Sequence, residues 1–350
     1  MNTAPFPRGT RRDAMRLKEL GERRVILRIR RAFSEPRPDI LIGIGDDAAL
    51  VKAPRSLLLT TDILVEDEDF RRAVHPPRLL GRKALNVNLS DIAAMGGRPL
   101  HALVGIAMPG DLEERWLRKF MAGFRSAARE ARVALVGGDL SQADQIMISV
   151  TVTGEAKFPV TRSGARAGDW IFVSGTLGDA VQGFRLLEEG GLQGKGRGGR
   201  PLIRAFLDPA PRLELGALLA RRKLASAMID ISDGLSVDLA HICEESSVGA
   251  EIEASLVPIS PALRRLSKDP LALALNGGED FELLFTVRPA KLATVRKLSS
   301  RFKLTMIGCV TAGKKIFLVS SDKKKKPLRA GGFEHFRGEF EGRLKAQAAG

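Results

Sequence analysis

Apolar residues along the chain follow two spacings, which predict alternating strands and helices. In KALNVNLSDIAAMGG, Leu85, Leu89 and Ile92 fall at i, i+4 and i+7, the spacing of one helix face, and the Gly96-Gly97 pair predicts the end of that helix. LEERWLRKFMAGFRSAAREA predicts a long amphipathic helix at 112–131. Apolar runs of strand length are SLLLTTDILV (56–65), HALVGIAMP (101–109), VALVGGD (133–139) and QIMISVTVTGEA (145–156). Together these elements predict a globular α/β unit.

A second α/β unit follows KFPVTRSGARAGD, whose Pro, Gly and Ser content predicts a domain boundary between residues 157 and 158. Its predicted strands are WIFVSG (170–175), SAMID (226–230), FELLFTV (281–287), LTMIGCV (304–310) and KIFLVSS (315–321). Its predicted helices are DAVQGFRLLEEG (179–190), PRLELGALLARRK (211–223), GLSVDLAHICEES (234–246) and AKLATVRKLSSRF (290–302). The glycine-rich segment 190–200 predicts a flexible loop. We therefore expect an N-terminal arm at 1–37, an N-terminal domain at 38–157 and a C-terminal α/β domain at 158–350.

The net charge of +15 raises the question of a nucleic-acid partner. Residues 1–37 carry eleven Lys and Arg against four Asp and Glu, and DKKKKPLR at 322–329 is a second basic run. Aromatic residues make up only 5% of the chain, Tyr is absent, and no basic stretch has aromatic residues in a pattern that suggests base stacking. We interpret both runs as solvated surface, with contact to a polyanion as the alternative. The first 20 or so residues predict a mobile basic arm, although Leu17 and Leu20 offer it an apolar face.

Targeting signals and cysteine chemistry add little to this picture. No apolar run reaches the ~18–20 residues that span a bilayer, and the N-terminus lacks the apolar core of a secretory signal. Cys243 and Cys309 are far apart and fit no metal-ligand spacing. We therefore expect a cytoplasmic protein with two free thiols and no membrane partner.

Aspartates recur after apolar runs with small residues between, which places them at predicted strand ends. They are Asp46 and Asp47 in GIGDD, Asp62 in LLLTTD, Asp139 in LVGGD, and Asp230 and Asp233 in MIDISDG, joined by Asp91 from the first predicted helix. Any one of them is explained as a turn or helix cap. If they converge in space, they cannot all ionise without cations, and such oxygen ligands suit Mg²⁺ shared with substrate phosphates.

Two glycine patterns do not support a familiar nucleotide-binding loop. GIGDDA fits the dinucleotide fingerprint G-x-G-x-x-A, but Asp46 and Asp47 would set negative charge against the pyrophosphate unless a metal intervened. GLQGKG lacks the four-residue spacing of a P-loop and the Ser or Thr after Lys195. Use of ATP by this chain would therefore depend on metal ions that bridge aspartates and phosphates.

Two loops of the second unit offer further candidates. IDISDGLSVDL places Ser232 and Asp233 before a predicted helix, whose free amides suit a phosphate, with a plain cap by either side chain as the alternative. NGGEDFELLF places Glu279 and Asp280 after a Gly-Gly turn and before a strand, and exposed acids in a turn are the alternative.

These motifs, taken in order, resemble the thiamine-monophosphate kinase family of the aminoimidazole-ribonucleotide synthetase superfamily. The resemblance runs from about residue 38 to residue 336. It is carried by IGDDAAL, TTDILVEDEDF, KALNVNLSDIAAMGGRP, VGGDL, TRSGARAGDWIFVSGTLGDA, MIDISDGLSVDLAHI, SVGAEIE and GGEDFELLFTV. It implies a two-domain α/β (α+β) subunit whose N-terminal domain dimerises through its β-sheet. The implied reaction is ATP-dependent phosphorylation of thiamine monophosphate to thiamine diphosphate with Mg²⁺, by direct in-line transfer.

The resemblance also implies roles for individual residues. Metal-ligand positions fall on Asp47, Thr60, Thr61, Asp62, Asp91, Asp139, Asp230 and Asp233, with Asp46 in the same motif. Nucleotide contacts fall on Gly138, Asp139, Arg162 and Ser232. Glu279 matches a position that contacts the acceptor substrate.

Two departures from the family pattern fall on the acceptor site. Asp69 in VEDEDF stands where family members commonly carry a histidine, and Phe333 stands where an aromatic residue, often Trp, approaches the thiamine end. The alternative to the kinase is a nucleotide- or metal-binding paralogue with another acceptor or no catalysis. The four histidines, His75, His101, His241 and His335, fall outside the motifs and are assigned no catalytic role.

Overall fold

Two β-sheets, each covered by helices, account for the two predicted units in a computed structural model of the chain. The structure describes residues 15–44, 48–190, 196–329 and 331–332. The predicted site residues Asp46, Asp47 and Phe333 lie outside the described residues. Among the described residues, none of the helices combines the length and apolar character needed to cross a bilayer.

The N-terminal half is built on a four-stranded sheet. Its elements are α1 (Leu17–Leu20), α2 (Glu22–Ala32), β1 (Ile40–Ile42), β2 (Leu50–Val51), β3 (Leu57–Val65), α3 (Pro77–Ala94), β4 (Arg98–Met108), α4 (Glu114–Ala131), β5 (Ala134–Gln142) and β6 (Met147–Glu155). The sheet has the order β3-β6-β4-β5, in which β6 is antiparallel to both neighbours and β4 is parallel to β5. The parallel pair requires a crossover, which α4 supplies.

The described part of the predicted arm is folded against this half. Leu20 and Val25 are buried in the same apolar core as α3 and α4. The backbone N–H of Leu17 donates to the carbonyl of Leu112 (3.0 Å), and that of Lys18 donates to Gly110 (2.9 Å). The prediction of a mobile arm is therefore wrong for residues 15–20, because their apolar side chains find a core to join; residues 1–14 lie outside the described part.

The C-terminal half is built on a seven-stranded sheet of order β13-β12-β9-β11-β7-β10-β8. Its elements are β7 (Trp170–Ser174), α5 (Asp179–Gly190), α6 (Gly196–Leu207), α7 (Leu213–Arg221), β8 (Ala227–Asp230), α8 (Leu235–Ser246), β9 (Gly249–Glu253), α9 (Pro261–Leu266), α10 (Pro270–Asn276), β10 (Leu283–Val287), α11 (Leu292–Arg296), α12 (Ser299–Phe302), β11 (Leu304–Thr311), β12 (Ile316–Val319) and β13 (Lys325–Pro327). The sheet is antiparallel except where β12 pairs parallel with β9. The boundary predicted at 157–158 falls between β6 and β7.

Two expectations about local structure are wrong. The segment 190–200 is not a loop throughout, since α6 begins at Gly196; its buried Leu202, Ile203 and Phe206 pack in one apolar cluster with α5. The aspartates of the first sheet are not at strand ends either. Asp62 lies within β3 and Asp139 lies within β5, because both strands continue past their carboxylates.

Helix α3 lies between the two halves and is buried on most of its surface. It packs against α4 on one side and against α7 and β8 on another. The crossing with α4 is close because two glycines meet it: a Cβ on Gly123 would lie 1.8 Å from the carbonyl oxygen of Arg78, and one on Gly81 would lie 2.0 Å from that of Phe120. The position of α3 therefore depends on the absence of side chains at this contact.

We predict that Gly123→Ala destabilises the protein by more than about 2 kcal/mol, because the new methyl group must push two packed helices apart. Urea unfolding with detection by circular dichroism measures the loss. Gly198→Ala is the matched control, since Gly198 lies in α6 and a methyl group added there would have no other atom within 4 Å. It should be neutral or stabilising by up to about 1 kcal/mol. Equal effects of the two substitutions would contradict the close-contact explanation.

Candidate functional site

Carboxylates from both halves meet at the seam beside α3. Asp91 comes from the C-terminal part of α3, Asp230 is the last residue of β8, and Asp62 projects from β3. The Ser90 hydroxyl donates a hydrogen bond to Asp230 Oδ2 (2.6 Å), and the Thr60 hydroxyl donates to Asp91 Oδ2. Both donors belong to the N-terminal half, so this half orients its own Asp91 and also Asp230 of the C-terminal half.

Burial makes this cluster hard to ionise. The pKa of Asp230 is raised to about 7, first by burial and then by the charges of Asp91 and Asp62. Burial also raises the pKa of Asp91, against the opposing effects of the Thr60 hydrogen bond and the positive charge of Arg162. A bound cation would relieve both the burial cost and the mutual repulsion, so the donor set fits a hard divalent metal ion.

The loop between β8 and α8 adds a second acidic group. Ligand atoms of Asp233, Asp238 and His241 all lie within 4.8 Å of one another. Burial, followed by the charges of Asp233 and Asp230, raises the pKa of Asp238 to about 8. Asp238 and His241 lie in the first two turns of α8, so the charge of Asp230 reaches the start of that helix.

The start of α8 rejects the alternative of a plain side-chain cap. Neither Ser232 nor Asp233 caps the helix, whose N-cap residue is Gly234. Instead the Asp238 carboxylate accepts hydrogen bonds from the backbone N–H groups of Asp233 (3.2 Å) and Gly234 (3.0 Å). Asp238 thus holds the loop that presents Ser232 and Asp233.

Gly138 and Asp139 lie in a groove of about 960 Å³ on the open face of the first sheet. Apolar residues of β4, β5 and α2 line most of this groove. A Cβ on Gly138 would lie 2.0 Å from the carbonyl oxygen of Val104, so the position accepts no side chain. Asp139 is exposed and lies opposite Gly105 of β4.

Thr61 does not join the carboxylate cluster through its side chain. Strand residues alternate between faces, and Thr61 shares the exposed face of β3 with Leu59 and Ile63, whereas Thr60 and Asp62 face the other way. The Thr61 hydroxyl donates to the carbonyl of Val150 (3.1 Å). Only the backbone of Thr61 remains near Thr60 and Asp62.

Two of the predicted acceptor residues, Glu279 and Asp69, are buried, and Glu279 contacts α3. Glu279 is 3% exposed, which rejects the alternative of an exposed turn, and its Oε2 accepts a hydrogen bond from the Lys83 ammonium group (2.5 Å). Asp69 is also buried, in the turn that follows β3, and its Oδ2 accepts from the backbone N–H of Val65 (2.9 Å).

Lys83 and Ser90 make contacts that the sequence patterns do not predict. Both are fully buried polar residues of α3 and each reaches a carboxylate of the other half. A signal was present in KALNVNLSD, where polar residues at 83, 86 and 90 follow the same helical spacing as the apolar ones. A polar stripe on a helix that is otherwise apolar indicates buried partners.

Comparisons with known proteins agree on one family. The domain models for AIR synthase related protein match residues 45–156 (N-terminal domain) and 166–321 (C-terminal domain). The thiamine-monophosphate kinase of Aquifex aeolicus (strain VF5) is 38% identical over 331 residues, which cover 92% of this chain and 100% of that protein. The crystal structure of thiamine-monophosphate kinase from Stenotrophomonas maltophilia K279a has a TM-score of 0.77 at 38% identity and covers 86% of this chain and 96% of its own. A structure described as AaThiL complexed with AMPPCP and TMP has a TM-score of 0.73 at 37% identity, and covers 92% of this chain and 99% of its own.

We predict that Asp230→Asn stabilises the metal-free protein more at pH 8 than at pH 5. The folded-state pKa of Asp230 lies above its unfolded value, so this group costs stability as pH rises from about 4 through 7 and costs nothing below that window. Thermal unfolding in EDTA at both pH values measures the difference in Tm. Asp144→Asn, at an exposed position of the β5–β6 turn, is the control and should show no pH-dependent gain. A lower Tm of Asp230→Asn at pH 8 would contradict the burial argument.

Proposed function

Because this chain belongs to the thiamine-monophosphate kinase family, we propose that it transfers the γ-phosphoryl group of ATP to the phosphate of thiamine monophosphate. The products are thiamine diphosphate and ADP. The observation that carries the proposal is the set of carboxylates at the seam, the buried Asp230 with the half-buried Asp62 and Asp91, whose joint ionisation a bound cation would favour. The relative bound to AMPPCP, an ATP analogue, and TMP supports the same pair of substrates.

The metal proposed here is Mg²⁺, held by carboxylate and hydroxyl oxygens. The residues that would hold it are Asp46, Asp47, Thr60, Thr61, Asp62, Asp91, Asp139, Asp230 and Asp233, with Thr61 acting through its backbone. When bound, Mg²⁺ supplies positive charge for phosphate groups that would otherwise repel one another and the carboxylates. Thr60 and Ser90 hold Asp91 and Asp230 in fixed orientations, so these ligands need little rearrangement on binding.

The nucleotide is proposed to lie between the open groove and the seam. Gly138 allows a close approach to the sheet backbone, with Asp139 beside it. Arg162 brings its positive charge to Asp91, and the same guanidinium would contact a phosphate oxygen of ATP. Ser232, on the loop held by Asp238, completes the proposed contacts.

The acceptor is proposed to lie between Glu279 and Asp69, whose carboxylates suit the fixed positive charge of the thiazolium ring. Phe333 is the proposed aromatic contact at the thiamine end. The transfer would be in line, with an oxygen of the acceptor phosphate attacking the γ-phosphorus as the bond to ADP breaks. Positioning and charge neutralisation dominate such a reaction, and no covalent intermediate on the protein is needed.

We expect ADP release, followed in a coupled assay, to require ATP, thiamine monophosphate and Mg²⁺ together. Asp233→Asn should lower kcat by about 100-fold or more, because one anionic ligand of the charged transition state is lost. Asp322→Asn is the control, since Asp322 lies at the exposed β12–β13 turn. ATP binding by the wild type without ADP release would support the paralogue alternative instead of the kinase.

We also infer that the chain forms a homodimer through the open face of the first sheet. Helices α3 and α4 pack in the core of this domain, yet large apolar side chains on its strands remain solvent-exposed. They are Leu57, Leu59 and Ile63 on β3 and Met147 on β6, each between 43% and 67% exposed, on the β3 side of the sheet, away from the groove against β4 and β5. Several large apolar side chains exposed on one sheet face are typical of an interface.

Light scattering at 10 µM should give twice the chain mass of 37.9 kDa for the wild type. The double variant Leu59→Lys/Ile63→Lys should be monomeric, because two charges would be buried at the contact. Leu256→Lys is the matched control, an exposed leucine of the C-terminal half whose replacement should leave the dimer intact. A monomeric wild type would refute the interface.

A further inference from the structure

We propose that Lys83 is a positioning residue for the acceptor, which holds the Glu279 carboxylate ionised and oriented toward the thiazolium cation. The inference rests on the proposed function, because it assigns Glu279 to the acceptor. Its own observation is the buried ion pair that joins the two halves of the chain.

The pair is almost completely removed from solvent. The Lys83 side chain is 1% exposed and the Glu279 side chain is 3% exposed, and Lys83 Nζ lies 2.5 Å from Glu279 Oε2. Removing two such charges from water costs several kcal/mol per ion, which a close contact offsets only in part. Replacing a buried ion pair by a hydrophobic pair of similar volume is often neutral or stabilising, so this ion pair points to a role beyond stability.

The surroundings of Lys83 keep its charge in place. Its ammonium group lies 3.7 Å from the centroid of the Phe206 ring, a cation–π contact. Burial, and secondly the charge of Lys83, hold the pKa of His75 well below its ordinary value. His75 is therefore neutral at physiological pH and does not supply the positive charge beside Glu279.

Glu279 is fixed at two points. Its backbone has φ +69, and its N–H donates to the carbonyl of Ser232 (2.8 Å). Ser232 lies on the loop that is proposed to contact the nucleotide. Its side chain is held by Lys83. Backbone and side chain are thus fixed from two different elements, and the carboxylate is placed relative to the nucleotide loop before any acceptor binds.

The chemistry of the acceptor explains why the charge of Glu279 matters. A carboxylate buried without a cation takes up a proton, because the ionised form is disfavoured there. A protonated Glu279 would not attract the fixed positive charge of a thiazolium ring. Because a carboxylate has two oxygens with several lone pairs, it can accept from Lys83 and still face a second cation.

The test is a comparison of kinetic constants in Lys83→Met, which keeps an unbranched apolar side chain and removes the charge. We expect KM for thiamine monophosphate to rise at least tenfold, equivalent to about 1.4 kcal/mol, while KM for ATP stays within twofold. Glu279→Gln should show the same split. The double variant Lys83→Met/Glu279→Gln should be no worse than Glu279→Gln alone, because the lysine acts through the glutamate.

A second probe separates charge recognition from general damage to the site. The phosphate ester of the uncharged hydroxyethylthiazole carries the ring without its positive charge. Its inhibition constant should be the same in Lys83→Met and wild type, whereas binding of thiamine monophosphate weakens. If Lys83→Met does not fold, judged by circular dichroism and Tm, the same measurements on Lys83→Gln and Glu279→Gln decide the question.

The outcomes separate this inference from the function on which it rests. A wild type that releases no ADP with thiamine monophosphate refutes the proposed function. An active wild type with an unchanged KM for thiamine monophosphate in Lys83→Met overturns the role of Lys83. A fall in kcat together with a similar rise in the KM values of both substrates, and additive effects in the double variant, also overturns it. Such a pattern shows that the ion pair has a purely structural role.

Discussion

The fold depends on the buried polar face of α3, which joins the two halves of the chain. Lys83, Asn86 and Ser90 lie on this face, and each finds its partner in the C-terminal half: Glu279, the carbonyl of Pro209 and Asp230. Burial of a polar group costs free energy unless the group is hydrogen-bonded. The favoured packing of the two halves is therefore the one in which all three contacts form together. Lys83 and Ser90 are seven residues apart, or about 10 Å along the helix axis. The same helix therefore sets the spacing between the proposed acceptor contact and the carboxylate cluster.

The carboxylate cluster works against the stability of the fold that positions it. Burial and neighbouring carboxylates raise the pKa of Asp230 to about 7, and burial also raises the pKa of the neighbouring Asp91. Near neutral pH the metal-free protein must hold protons on these groups or pay for their burial as anions. A cation bound here would remove this cost, and proton release would accompany its binding. The binding energy of the proposed metal would thus be coupled to the ionisation of the site.

Sequence patterns predict the elements of this protein well and the partners across the seam poorly. The helix through Leu85, Leu89 and Ile92 is confirmed, because its apolar side chains face a core within the same half. The contacts of Lys83 and Ser90 are not predicted from the sequence, because their partners lie 196 and 140 residues away in the chain. Asp62 and Asp139 are predicted at strand ends because each follows an apolar run and one or two small residues. Each instead lies within a strand, at a position where the sheet borders the seam or the open groove.

Asp69, which stands at the histidine position of the family motif, forms part of the turn after β3. Where the family resemblance predicts a histidine, the Asp69 carboxylate accepts a hydrogen bond from the Val65 backbone and closes the turn after β3. The same turn contains Asp67 at φ +70, a backbone conformation that needs local support. A carboxylate cannot donate a hydrogen bond to an acceptor phosphate, so that task falls to other groups. In the proposed site, recognition of the acceptor would therefore rest less on its phosphate than on its cationic ring, for which Glu279 is held in place by Lys83.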